Sequence, residues 1–118
     1  MEAKELRIGN YVNHNGFAPI TIDAVDIIHC KQHPEAYRPI ELTEEWLIKL
    51  GFVSNNVAYK IDNDKFVFEL YFYDAWNLNY VEKEKFGDGS VELSGYWKIH
   101  ELQNLFYTLT GEELTIKS

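Results

Sequence analysis

Gly95-Tyr-Trp-Lys-Ile-His-Glu-Leu-Gln-Asn-Leu-Phe-Tyr-Thr-Leu-Thr-Gly-Glu-Glu-Leu-Thr-Ile116 is the stretch on which the fold turns. Ile99, Leu102, Leu105, Phe106 and Leu109 recur at three- and four-residue intervals and so line one side of an α-helix. Thr110-Gly111 ends it, because glycine enters the left-handed conformation at little steric cost. No other long segment carries such a stripe, so this helix should lie across a sheet built from the remainder. Its other side carries His100, Gln103, Asn104 and Tyr107, again at i, i+3, i+4 and i+7. An amphipathic helix needs a polar side in any case. A row of hydrogen-bonding groups that includes an imidazole is nevertheless the first place to look for a binding surface.

Outward from this helix, the chain reads as one small α+β domain spanning residues 1–118. Its 118 residues are 46% hydrophobic, enough to bury a core and too apolar for disorder. Aromatic residues make up 15%, which favours a sheet-dominated interior. The formal charge of −8 repels phosphate backbones, and no basic run offsets it, so nucleic-acid binding is disfavoured. A basic protein partner, or mimicry of a nucleic acid, would suit that charge; solubility alone also explains it. The single Cys30 excludes an internal disulfide and fits a reducing compartment. The charged amino terminus lacks a signal-peptide core, and no apolar run is long enough for a bilayer span. A cytoplasmic protein without a membrane segment is the expectation.

Taken in order, Leu6-Arg7-Ile8-Gly9-Asn10 turns into a short strand at Tyr11-Val12, and Asn15-Gly16 signals a hairpin. Phe17 to Ile28 reads as the next strand from the alternation of Ile20, Ile22 and Ala24, with a bend at Ile27-Ile28. Together these resemble the opening of a bent, mostly antiparallel sheet of the SH3-like partial-barrel kind. His29 to Pro39 shows no period and reads as a loop, and Ile40-Glu41-Leu42 as a short strand. Thr43 caps a short central helix through Leu50, with Glu44 and Glu45 in its first turn and Gly51-Phe52 closing it. Trp46, Leu47 and Leu50 should form its buried side. Strands follow at Val57–Ile61 and Lys65–Tyr73, the second with Phe66, Phe68, Leu70 and Phe72 on its core face. Trp76–Phe86 and Ser90–Ile99 should form a hairpin around Gly87-Asp88-Gly89, with Val81 pointing inward. Leu114 and Ile116 should pin the tail.

Residues able to carry chemistry are few. In His29-Cys30-Lys31-Gln32-His33 the imidazole and thiol groups are zinc donors at a usable Cys-x-x-His spacing. No second pair follows, and Asp23, Asp26, His14 or His100 could join only through folding, so no metal or other cofactor is expected. Cys30 as a nucleophile would need a positioned base and an electropositive setting. Glu44-Glu45 and Glu112-Glu113 sit at helix ends, where the dipole explains them. Ser54, Ser90 and Ser94 have no nucleophile-elbow context, and no phosphate-binding glycine loop is present. No catalytic residue can be named. Tyr71, Tyr73, Trp76, Tyr80, Tyr96 and Trp97 form an aromatic set that would serve cross-strand packing or a protein interface.

Three blocks, Leu6-Arg7-Ile8-Gly9-Asn10, Pro39 to Phe52 and Ile99 to Leu114, resemble those of a family of short uncharacterised proteins of Bacteroides-type bacteria and their phages or mobile elements. The resemblance implies a bacterial accessory protein and brings no activity, cofactor or site residue with it. The expected function is therefore a non-catalytic interaction or regulatory domain that binds a protein or another copy of itself. The alternatives are a small ligand-binding protein or enzyme using the polar stripe of the last helix, and an acidic nucleic-acid mimic.

Overall fold

Hydrogen bonds close to the chain decide where each element begins, and the computed structural model describes them for residues 1–16, 19–83 and 90–117. The described residues divide between two compact units, Met1–Leu42 with Trp97–Thr115, and Thr43–Tyr96 with the residues from Ile116 on. In the first unit, β1 (Tyr11–His14) is flanked on both sides by antiparallel partners, β2 (Pro19–Thr21) and β3 (Tyr37–Arg38). The register pairs Val12 with Ile20 and His14 with Tyr37. Asn15 and Gly16 both take positive φ, as the hairpin signal requires. This three-stranded sheet stays open and does not close into an SH3-like barrel.

The expected strand from Phe17 to Ile28 and the loop after it need correction. Phe17 and Ala18 lie outside the described residues, β2 ends at Thr21, and Ala24–Gln32 is a helix, α1. Asp23 decides this. Its carboxylate accepts the Asp26 N–H at 2.9 Å, while the Asp26 carboxylate accepts the Asp23 N–H at 3.0 Å. Two otherwise orphaned amides are satisfied reciprocally, which starts a helix whatever the β-propensity of Val25, Ile27 and Ile28. Only Cys30 is buried on α1, so the helix carries almost no apolar stripe to betray it. Asp23→Ala should therefore cost about 1 kcal/mol in chemical denaturation, with faster amide exchange confined to α1.

The core of this unit gathers Leu6, Val12, Ile22, Cys30 and Tyr37. The last helix, α3 (Ile99–Thr110), lies against β1 and ends at Gly111, whose φ is 76°. Its start is tied to the Ile40-Glu41 segment. The Ile99 N–H donates to the Ile40 carbonyl at 2.9 Å, Glu41 bridges Lys98, and their side chains form an ion pair. The expected strand at Ile40–Leu42 is thus a single bridge.

The second unit is a five-stranded antiparallel meander of β4 (Val53–Ser54), β5 (Tyr59–Asp62), β6 (Phe66–Tyr73), β7 (Ala75–Glu82) and β8 (Ser90–Gly95), preceded by α2 (Glu44–Lys49). Helix α2 matches its sequence signals. Thr43 Oγ1 accepts the Trp46 N–H, and the N–H groups of Gly51 and Phe52 return to the carbonyls of Ile48 and Leu47, both at 3.0 Å. Leu47 and Leu50 are buried, Trp46 only partly. In β6 the residues Phe66, Phe68 and Leu70 are buried as the alternation requires, but Phe72 at the strand end is 59% exposed.

Val81 does not point inward; it is 43% exposed, and Leu78 and Tyr80 are the buried residues of β7. The register explains it. Leu70 pairs with Leu78 and Phe68 with Tyr80, and directly opposed residues share a face, so Val81 goes with Val67 to the other side. Strand β8 ends at Gly95, short of Ile99. The expected hairpin tip at Gly87-Asp88-Gly89, with Glu84, Lys85 and Phe86, lies outside the described residues.

Candidate functional site

The polar stripe of α3 meets the amino-terminal segment. Gln103 is fully buried. Its Oε1 accepts the Tyr11 N–H at 2.9 Å and the Asn10 Nδ2 at 3.4 Å, while its Nε2 donates to the carbonyls of Gly9 (3.1 Å) and Leu114 (2.9 Å). Two donors on one side and two carbonyls on the other fix the orientation of the amide. Asn104 Oδ1 accepts from Arg7 Nη1 and Asn10 Nδ2, both at 3.0 Å, and its Nδ2 donates to the Glu5 carbonyl. Arg7 continues the network: its guanidinium stacks 4.2 Å above the Tyr107 ring and donates to Glu113 at 2.5 Å. The polar atoms of Gln103 and Asn104 are thus used inside the chain. Asn10 and Arg7, which the sequence did not single out, are the residues that receive them.

His100, at the start of the same stripe, is 1% exposed, and among the described residues neither ring nitrogen has a hydrogen-bond partner. Its Nε2 lies 3.5 Å from Glu5 Oε1, an ion pair only when the imidazole is protonated. The Glu5 carboxyl is held below its ordinary value of 4.5, first by the backbone N–H of Glu2 and then by His100. Tyr107 is partly exposed under Arg7.

The second cluster forms around Tyr37, another residue the sequence left unmarked. His14, His29 and His33, three of the four histidines of the chain, come to this one corner of the first unit. His14 stacks on the Tyr37 ring at 4.6 Å and meets His29 edge-on at 5.7 Å, while His29 and His33 stand 5.0 Å apart. The Tyr37 hydroxyl donates to Asp26 Oδ1 at 3.3 Å and lies 2.8 Å from His29 Nδ1. Burial, and then the Asp26 charge, push the Tyr37 phenol above 10.0, which keeps it a donor. Asp23 stays in its cap and His100 stays beside Glu5, so neither joins. Cys30 is apart as well: its thiol is buried, donates to the Met1 carbonyl, and is pushed above 9.0 by that burial. Such a thiol is a poor nucleophile and a poor partner for His33.

The third feature is the turn end of the five-stranded sheet. Asp74, at φ 62°, makes a tight connection between β6 and β7, and the Tyr96 hydroxyl donates to its carbonyl. Around it Phe72, Tyr73 and Tyr96 are exposed by 59%, 75% and 71%. Phe72 packs edge-on against Trp76 at 5.4 Å, and Trp76 against Tyr59 at 6.2 Å. Of the aromatic set read from the sequence, Tyr73 and Tyr96 reach the surface and Tyr80 is buried. Phe72 was missed because strict alternation assigns it to the core. Among the described residues no helix is long and apolar enough to cross a membrane. No protein-family model, curated protein or solved structure matches the chain.

Proposed function

We propose that this chain is a non-catalytic protein-interaction domain, and that its contact surface is the aromatic turn end of the five-stranded sheet. The observation that carries this is the exposure of Phe72, Tyr73 and Tyr96 at one end of the sheet, Phe72 and Tyr73 on its opposite faces and Tyr96 bonded to the Asp74 carbonyl of the turn between β6 and β7. Large apolar side chains left in water cost free energy, and grouped aromatics are the side chains that dominate protein interfaces. The charge distribution selects the partner. Lys65 and Lys83 belong to the opposite end of the sheet, where Lys83 reaches Asp62 at 2.5 Å, and Lys60 lies mid-sheet opposite Glu69, whereas the aromatic end carries Asp74. An acidic chain with an apolar end fits a protein that surrounds an apolar centre with basic groups.

The internal use of Gln103 and Asn104 moves the expected surface away from α3. A bacterial, cytoplasmic accessory role, as the sequence blocks suggest, is part of the same proposal. The test is affinity capture from a bacterial host lysate, with quantitation of each bound protein against a Phe72→Ser/Tyr73→Ser variant. A stoichiometric partner should bind the double variant at least tenfold more weakly, since aromatic hot spots contribute about 2 kcal/mol or more. Equal retention of every partner by both proteins would place the interface elsewhere.

A further inference from the structure

We propose that the outer edge of β8 pairs antiparallel with the same edge of a second copy of this chain, Leu93 on Leu93, joining two five-stranded sheets across a two-fold axis. Phe72 and Tyr73 lie two strands away on β6, so this pairing does not depend on the aromatic turn end.

The ladder determines which backbone groups of β8 are free. The Lys83 N–H donates to the Lys65 carbonyl at 2.9 Å, one step beyond the Phe66–Glu82 pair. Hydrogen-bonded and non-bonded positions alternate along an antiparallel pair. The odd-numbered residues of β7 therefore turn their amides to β6. Trp76, Leu78 and Tyr80 turn theirs to β8, where they meet Gly95, Leu93 and Val91. The N–H and C=O groups of Ser90, Glu92 and Ser94 are left on the outer side, where the sheet ends. Among the described residues no backbone group pairs with them there.

Natural sheets shield such an edge with lysine, proline, a bulge or a very short strand. Strand β8 uses none of these. Its residues pair one-to-one with β7 without a bulge, and Ser-Val-Glu-Leu-Ser-Gly holds neither Lys nor Pro. The opposite edge, β4, is only two residues long. Leu93 marks the same gap from the side chains. It shares a face with Leu78 and Leu70, which are buried, yet it is 40% exposed because no strand lies beyond it.

A second copy fits because the edge is complementary to itself in one register. Leu93 opposite Leu93 sets Glu92 of each copy opposite Ser94 of the other. These are the outward-facing residues, so both pairs exchange two main-chain hydrogen bonds. Between them the two Leu93 residues form a non-bonded pair, with Cα atoms about 4.5 Å apart and side chains in contact. The neighbouring register would put Glu92 on Glu92, like charges face to face. Glu92 is the one charged residue of the strand, and it selects the register. Pairing over so short an edge makes a weak, concentration-dependent dimer.

The experiment is analytical ultracentrifugation of the full chain at about 0.01–1 mM. Salt at about 0.5 M screens the charge of −8 on each copy. A reversible monomer–dimer equilibrium should appear in that range. Ser94→Pro removes an N–H that the ladder to β7 does not use, together with the Ser94–Asn77 side-chain bond. It should keep its circular dichroism and weaken the dimer at least tenfold. Leu93→Cys should form a disulfide-linked dimer under mild oxidation, because a non-bonded pair meets disulfide geometry. Val91→Cys stands about 13 Å from its counterpart in this register and should not. Cys30, 0% exposed, does not compete. Phe72→Ser/Tyr73→Ser should dimerise as the parent does. A chain that stays monomeric throughout, or a folded Ser94→Pro that dimerises as the parent does, would overturn the pairing. So would equal cross-linking through positions 91 and 93, or loss of the dimer in the Phe72→Ser/Tyr73→Ser variant.

Discussion

Gln103→Leu should destabilise the protein by about 3 kcal/mol, although it replaces a polar residue with an apolar one inside the fold. The substitution takes the acceptor away from the Tyr11 N–H and the donors away from the carbonyls of Gly9 and Leu114. Each such loss in a buried setting costs about 1–3 kcal/mol, and partial relaxation keeps the sum below the simple total. Leucine returns some apolar burial, but it cannot reach both sides of the gap. Gln103→Glu, nearly identical in shape, should also destabilise, because its second oxygen would face two carbonyls. Urea denaturation of the three proteins measures both effects. A cost below about 1 kcal/mol for Gln103→Leu would mean that water takes over the lost bonds, and that the clasp between α3 and the amino-terminal segment is not a stabilising element.

Phe68→Ala should have the largest effect, about 4 kcal/mol. Phe68 is 0% exposed at the middle of β6, and its ring faces Phe52 at 6.0 Å and Tyr80 at 6.3 Å. Its neighbours across the sheet are Ile61 and Tyr80, both committed by backbone pairing, so the surrounding sheet cannot collapse into the space left behind. The lost transfer free energy and the residual cavity therefore add. Phe68→Leu retains most of the volume and should cost well under half as much. If alanine and leucine lowered the denaturation midpoint equally, ring stacking rather than volume would be what Phe68 contributes.

These two residues show where the sequence was readable. Phe68 sits in an eight-residue strand whose alternation places it without any knowledge of its partners. Gln103 sits in a helix whose polar stripe could face either water or protein, and periodicity does not distinguish them. The deciding contacts come from Gly9, Asn10 and Tyr11, more than 90 residues earlier in the chain. The buried side of α3 accordingly includes His100 and Gln103, while Leu105 and Leu109 are only half-buried. Helix α1 is hidden by its approach: Ile20, Ile22 and Ala24 alternate like a strand up to its first residue, and the Asp23–Asp26 box, a purely local signal, outweighs that pattern.

By itself the sequence determined α2, α3 and the run of strands β5 to β8 in the second unit. Capping side chains, stop glycines and two-residue alternation act within a few positions of the groups they order. Only the tertiary structure decided which polar groups became internal partners and which histidines met. Hydrogen bonds and ring contacts are short-ranged in space but indifferent to separation along the chain. His14 and His29 are brought together by β1, α1 and β3 packing around Tyr37, and no spacing in the sequence encodes that meeting.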